Sequence, residues 1–286
     1  MRKVFCILLC AMTIGSLASS PLLWAQSAST QGVAPVQPAA QSQEQGGRQL
    51  LDEMVTALGG PAWLNRKDVQ FHGRIASFFR GQPNGTVVEF DAWRQFPDAT
   101  HREAERIGFL TDKSMIFPGK KIDVVQIWTG GDGYEVTYKG KISLPKDQVE
   151  DYYRRRAHSI EEVVRTWLKA PGVMVISEGT TMVERRMADK VTILSANNDA
   201  VTIELDARTH LPLRRTFEWR NTTFKDHDED AEEYDDYHTV QGLPTAFTIT
   251  RYHNGDMASQ RFFSKVSYNA GLPAELFNPD NLLKKK

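Results

Sequence analysis

Cysteine is nearly missing from this chain of 286 residues, where only Cys6 and Cys10 occur. So low a number excludes a disulfide-built scaffold and a four-thiolate zinc site. An excess of one charge is missing as well. The 35 Lys+Arg against 36 Asp+Glu leave a formal net charge of -1, so no overall field attracts a phosphate backbone, and charge alone argues against a general nucleic-acid binder. Beyond the N terminus no run approaches the ~20 apolar residues that a membrane-crossing helix needs. Signatures of chemistry are absent too: there is no Gly-x-Ser-x-Gly elbow, His-Glu-x-x-His helix, Walker phosphate loop, or Gly-x-Gly-x-x-Gly turn between strand and helix. The seven histidines, at 72, 101, 158, 210, 227, 238 and 253, include no pair spaced to share a helix or strand face as metal ligands. No cofactor and no catalytic residue is therefore expected.

What is present begins with Arg2 and Lys3, then an apolar stretch over residues 4–17 and the small residues Ser16, Ala18 and Ser19. This is the layout of a secretory signal peptide, assigned to residues 1–25, with cleavage after Ala18 or Ala25. An uncleaved anchor is the alternative, because Leu22, Leu23 and Trp24 prolong the stretch, although Pro21 and Ser19-Ser20 interrupt it. Cys10 follows Lys3 too closely to be a lipid-attachment site and belongs to the apolar segment. Removing the signal takes away Arg2, Lys3 and both cysteines, so 33 basic residues face 36 acidic ones. A thiol-free chain is indifferent to an oxidising compartment, and a bacterial periplasm is the expected location.

Residues 26–47 are rich in Gln, Ser, Ala and Pro and read as a flexible leader. A single domain is expected over residues 48–286. Leu50, Leu51, Met54, Val55 and Leu58 recur at helical spacing until Gly59-Gly60-Pro61. The period then changes to two: Val69, Phe71, Ile75 and Phe79 form one strand, Pro83-Asn84-Gly85 turns, and Val88, Phe90, Ala92 and Phe96 form the next. Later alternation predicts strands up to residue 268, interrupted by one long helix over residues 146–170. The segment 181–187 is read as a strand of its own. About ten antiparallel strands with two or so helices predict an α+β fold, a strongly curved sheet forming an unclosed half-barrel with helices packed in or over its concave face.

Val88, Phe90, Ala92, Arg94 and Phe96 share one strand face and are the candidate cavity-lining residues. Arg94 stands out because a guanidinium among apolar neighbours must find carboxylate, carbonyl or water partners. Gly130-Gly131-Asp132-Gly133 reads as a hairpin turn rather than a phosphate loop. Acidic residues crowd from Asp226 to Asp236. Asp226, Asp228 and Asp230 have the spacing that opens a calcium loop, but Ala231 and Tyr237 occupy positions that want Gly and Glu, so a solvated acidic turn is the better reading.

With these pieces in place the chain resembles the periplasmic outer-membrane lipoprotein carriers, the LolA/LolB-like lipoprotein-sorting family. The resemblance rests on Trp93-Arg94-Gln95-Phe96-Pro97 after the first hairpin, Gly131-Asp132-Gly133-Tyr134, and Ile203-Glu204-Leu205-Asp206 leading to Leu211-Pro212-Leu213-Arg214. It continues through Tyr234-Asp235-Asp236-Tyr237 with Gly242-Leu243-Pro244, to Val266-x-x-Asn269 and Leu276-Phe277-Asn278-Pro279. It implies an open antiparallel barrel whose apolar cavity takes acyl chains, with an Arg matching Arg94 hydrogen-bonded to a helical lid. The expected function is non-enzymatic binding of a lipid or lipoprotein acyl chain in outer-membrane lipoprotein sorting. The alternative is an envelope sensor that uses the fold without carrier activity and docks a protein partner on the 226–236 acids. A cavity below ~300 Å³ would argue against acyl binding.

Overall fold

The computed structural model describes residues 39–85, 87–98, 102–110, 122–221 and 226–282. The expected signal segment, Cys6, Cys10 and the first part of the leader lie outside them. Helices α1 (Ala39–Ala57) and α2 (Pro61–Leu64) precede strands β1 (Asp68–Phe79), β2 (Gln82–Pro83), β3 (Val88–Gln95), β4 (Ala104–Leu110), β5 (Ile122–Thr129), β6 (Asp132–Thr137) and β7 (Gly140–Ser143). Helices α3 (Lys146–Ala157) and α4 (Ile160–Arg165) follow. The chain then runs through β8 (Met174–Val183), β9 (Arg186–Leu194), β10 (Ala200–Asp206), β11 (Pro212–Asn221), β12 (Asp226–Val240), β13 (Leu243–His253) and β14 (Asp256–Tyr268).

All strands join one antiparallel sheet in the order β7-β6-β5-β4-β3-β1-β14-β13-β12-β11-β10-β9-β8, with β2 beside β1. The chain thus starts mid-sheet, meanders out to β7, crosses to the opposite edge at β8, and meanders back until β14 pairs with β1. Because β7 and β8 do not pair, the curved sheet stays open. Helices α3 and α4 are the crossing connection, which is why helical chain lies over the concave side. The α+β half-barrel expected from the sequence is therefore what the chain forms.

Helix α1 buries Leu51, Met54 and Leu58 on one stripe, each worth about 1.5–3 kcal/mol. It begins at Ala39, inside the stretch read as a flexible leader. Gly47 makes that start possible: a Cβ there would come within 2.9 Å of Val175 Cγ1 and 3.1 Å of the Ser177 nitrogen, so glycine lets the helix lie directly on β8. A second glycine sits at the join of the two meanders, where β1 and β14 are out of register at His72/Gly73. A Cβ at Gly73 would drive into the Phe262 carbonyl oxygen and reach within 3.0 Å of Phe263 Cα. Gly73→Ala should cost about 1–3 kcal/mol, read as a fall in Tm of about 2–4 °C per kcal/mol; an unchanged Tm would contradict this account.

Four local expectations are corrected. The long helix over residues 146–170 is broken at His158-Ser159, where the Ser159 hydroxyl accepts from the Glu162 backbone N–H at 3.3 Å and caps α4. The segment 181–187 is not one strand: Glu184 and Arg185, at φ 45° and 65°, turn β8 into β9. Strand β4 was not read at all, since Gly108 and flanking charges blur its alternation. The acidic run, read as a turn leading into a strand over 232–239, is strand from its first residue, because β12 already starts at Asp226.

Candidate functional site

Helix α3 is too polar to be held by an apolar stripe; of its twelve residues only Tyr152 is buried. Specific contacts hold it across the open face instead. At its β5–β6 end, Tyr152 stacks on Trp128 with centroids 4.5 Å apart and planes at 12°, and its hydroxyl donates to Glu105 Oε2 at 2.8 Å. The Tyr153 hydroxyl accepts from the Gly131 N–H at 3.1 Å and donates to the Asp132 carbonyl at 3.2 Å. Gly133 leaves room for this docking, since a Cβ there would meet Val149 at 2.9 Å and Leu144 at 3.0 Å. At the far end, Arg154 lies 4.6 Å over the Trp219 ring on β11, and His158 stacks on Phe217 at 4.3 Å. Three arginines, Arg154 to Arg156, fill the last turn of α3, where positive charge complements the helix dipole.

Beneath α3 the concave face is charged rather than uniformly apolar. Arg94 Nε donates to Glu103 Oε1 at 2.7 Å, and Arg156 Nε donates to the same oxygen at 2.8 Å. The strand arginine thus reaches α3 through one shared carboxylate. Burial disfavours the Arg94 charge, but Glu103, Glu161 and Glu105 more than offset that and raise its pKa. Burial also pushes the Glu103 carboxyl up, against the pull of Arg94, and the Tyr152 hydroxyl far above its ordinary range, helped by Glu105. Arg66, Arg94 and Arg165 surround the buried Phe96 ring at 4.9, 4.6 and 4.9 Å. On the other flank Arg215, 1% exposed, pairs with Glu232 at 2.9 Å, and Asp230 accepts from Arg251 Nε at 2.7 Å.

Alongside α3 a cleft of about 440 Å³ remains open. Ile75, Phe90, Ile107, Phe109 and Trp128 supply its apolar surface, while Asp147, Gln148 and Asp151 of α3 form a polar rim. A smaller chamber of about 80 Å³ lies next to it and shares Ile107, Trp128, Arg155 and Arg261 with the cleft. The volume falls in the range of small-molecule sites, above the ~300 Å³ below which acyl binding was to be doubted.

The sequence candidates divide among these places. Phe90 lines the cleft, Ala92 and Phe96 are packed in the main core, and Arg94 belongs to the ion-pair network. Val88 is half-buried opposite Ile75. The calcium reading of Asp226, Asp228 and Asp230 is corrected, because the three lie along an extended strand instead of coiling around a centre. Asp228 accepts from Asn221 and Asn254 at 2.6 and 2.9 Å, and Asp230 is held by Arg251; among the described residues no cluster could hold a metal ion. The acidic run divides: Asp230, Glu232 and Glu233 are engaged by Arg251, Arg215 and Arg214, while Asp226, Asp235 and Asp236 are exposed. Sequence reading missed Ile107 and Phe109, whose i, i+2 spacing in β4 was the available signal, and gave Arg261 no role.

No helix among the described residues is long and apolar enough to cross a membrane. No family model and no curated relative matches the chain. Solved structures do. A DUF1329 family protein from Desulfovibrio piger superposes with a TM-score of 0.56 at 12% identity, covering 84% of this chain and 99% of the other. A domain of an outer membrane lipoprotein-sorting protein from Vibrio parahaemolyticus superposes with a TM-score of 0.52 at 11% identity, covering 85% and 100%. The chain therefore has the fold of these proteins, an open, curved antiparallel sheet with helices.

Proposed function

We propose that this protein holds an acyl chain of a lipid or lipoprotein in the cleft beside α3, in the bacterial envelope and without catalysing a reaction. The observation that carries the reading is the cleft itself: about 440 Å³ of space lined by Ile75, Phe90, Ile107, Phe109 and Trp128. Burial of an acyl chain there gains about 0.8 kcal/mol per methylene, so a modest length gives useful affinity with no polar code. The N-terminal segment read as an export signal supports the envelope location, and the shared fold with a lipoprotein-sorting domain supports an acyl chain as what the cleft holds.

Delipidated protein should take up a fluorescent fatty acid. Ile75→Trp, which places an indole in the cleft, should weaken that uptake about tenfold or more while the protein still melts cooperatively. Absence of uptake by well-folded parent protein would end the proposal. Retention of one protein from envelope extract after lipid has been stripped would instead favour the sensor reading.

A further inference from the structure

Most charges around the cleft and its inner chamber are already matched. Arg155 pairs with Asp151 at 3.0 Å, Arg156 with Glu103 at 2.8 Å, and Glu232 with Arg215 at 2.9 Å, while Glu105 accepts the Tyr152 hydroxyl at 2.8 Å. Two are not: Asp147, which is exposed at the start of α3, and Arg261, which is half-buried. Arg261 stands in β14 between Ile75 of β1 and Ile249 of β13, and it borders both the cleft and the chamber. Among the described residues its side chain has no hydrogen bond or ion pair; Glu232 feels its charge but is bound to Arg215 and Tyr234. Arg261 is half-buried, and its guanidinium carries five donors and keeps its proton, so it offers those donors to whatever fills the cleft.

A second donor points to the same place. The Trp128 side chain is 8% exposed, and its indole N–H has no acceptor among the described residues. Trp128 also borders both spaces. Most buried polar groups are satisfied, yet here a half-buried cation and a tryptophan with an unmatched N–H line one chamber whose two carboxylates, Glu105 and Glu232, are engaged by Tyr152 and Arg215. What would satisfy both is a compact anion with several lone pairs.

We infer that the site selects a single-chain amphiphile with a carboxylate head: the head occupies the inner chamber against Arg261 and the Trp128 N–H, and the chain runs outward over Ile75, Phe90, Ile107 and Phe109. This rests on the acyl-binding reading and adds its polarity and charge requirement. A neutral ester of the same chain would keep the apolar contacts and lose the charge-assisted bonds.

The test is titration of the delipidated full chain with cis-parinaric acid and, separately, with its methyl ester, read by the fluorescence gain on entering an apolar site. The parent should bind the acid about tenfold or more tighter than the ester. Arg261→Leu should remove that preference by weakening the acid alone, and Arg261→Lys should keep part of it. Trp128→Phe, which keeps the stack on Tyr152 but removes the donor, should weaken the acid about threefold and leave the ester unchanged. Equal binding of acid and ester by the parent, or a preference that survives Arg261→Leu, overturns the head-group assignment while the acyl-binding reading stands. Binding of neither overturns both, and the parent comparison decides even if a variant fails to fold.

Discussion

Arg215→Ala should destabilise the folded chain by about 3–5 kcal/mol, the largest loss expected from any single truncation on the concave face. The guanidinium is 1% exposed, its Nη2 lies 2.9 Å from Glu232 and its Nη1 3.6 Å from Asp230, and it packs 4.9 Å from the Phe217 ring centroid. Truncation would leave Asp230, 0% exposed, with Arg251 alone, and Glu232 with only the Tyr234 hydroxyl. The cost comes from stranding two acids rather than from losing an attractive pair. Arg215→Met separates charge from volume: it fills most of the space and should lose a comparable amount. Urea unfolding of both variants measures this, and a loss below about 1 kcal/mol in Arg215→Met would show that packing, not charge, sets the cost.

The same pair makes stability depend on acid. Burial alone would raise the Glu232 pKa, but Arg215 and its hydrogen bond outweigh burial and hold the carboxyl at about 2 in place of 4.5. A depressed folded-state value adds stability that is complete above the unfolded pKa and vanishes as pH falls through the folded one. The window therefore runs from about pH 5 down to about pH 2, and the contribution at neutral pH is about 2–3 kcal/mol. Asp230 works in the opposite direction, since burial pushes its carboxyl up despite Arg251 and Arg215. The informative quantity is accordingly a difference: the stability gap between parent and Glu232→Gln should be flat above pH 5 and narrow as pH falls toward 2. A gap independent of pH throughout would contradict the Arg215 account.

Much of the fold could be read from periodicity and turns. The β1–β3 hairpin pairs as expected, with Phe71 opposite Ala92 and Ile75 opposite Val88. Gly130 and Gly131, at φ 66° and 96°, make the β5–β6 turn, as the glycine cluster implied. The break in the helical segment was legible too, in Ser159-x-x-Glu162, a capping-box spacing masked by the continuous apolar pattern around it. The site was not legible to the same degree. Alternation assigns Phe90, Ala92, Arg94 and Phe96 to one face, yet it cannot say that the three apolar side chains are buried in the main core while Arg94 is drawn into an ion-pair network. Nor can it bring Trp128 and Arg261 to one cavity, because their meeting depends on the curvature of five strands.

The join of β1 with β14 has a consequence for how the chain is made. The Asp68 carboxylate accepts from the backbone N–H groups of Ala270 and Gly271, residues 202 and 203 positions away. The β1–β14 pair therefore joins residues from opposite ends of the domain, and so long-range a closure is intrinsically slow. A chain delivered N-terminus first, from a ribosome or through a translocon, holds β1 paired on one side only until its final strand emerges. During that interval the partly made sheet presents a bare backbone edge along β1, the kind of edge that recruits other strands. Timely arrival of residues 256–268 is thus as much a condition for a correctly paired sheet as any contact in the finished fold.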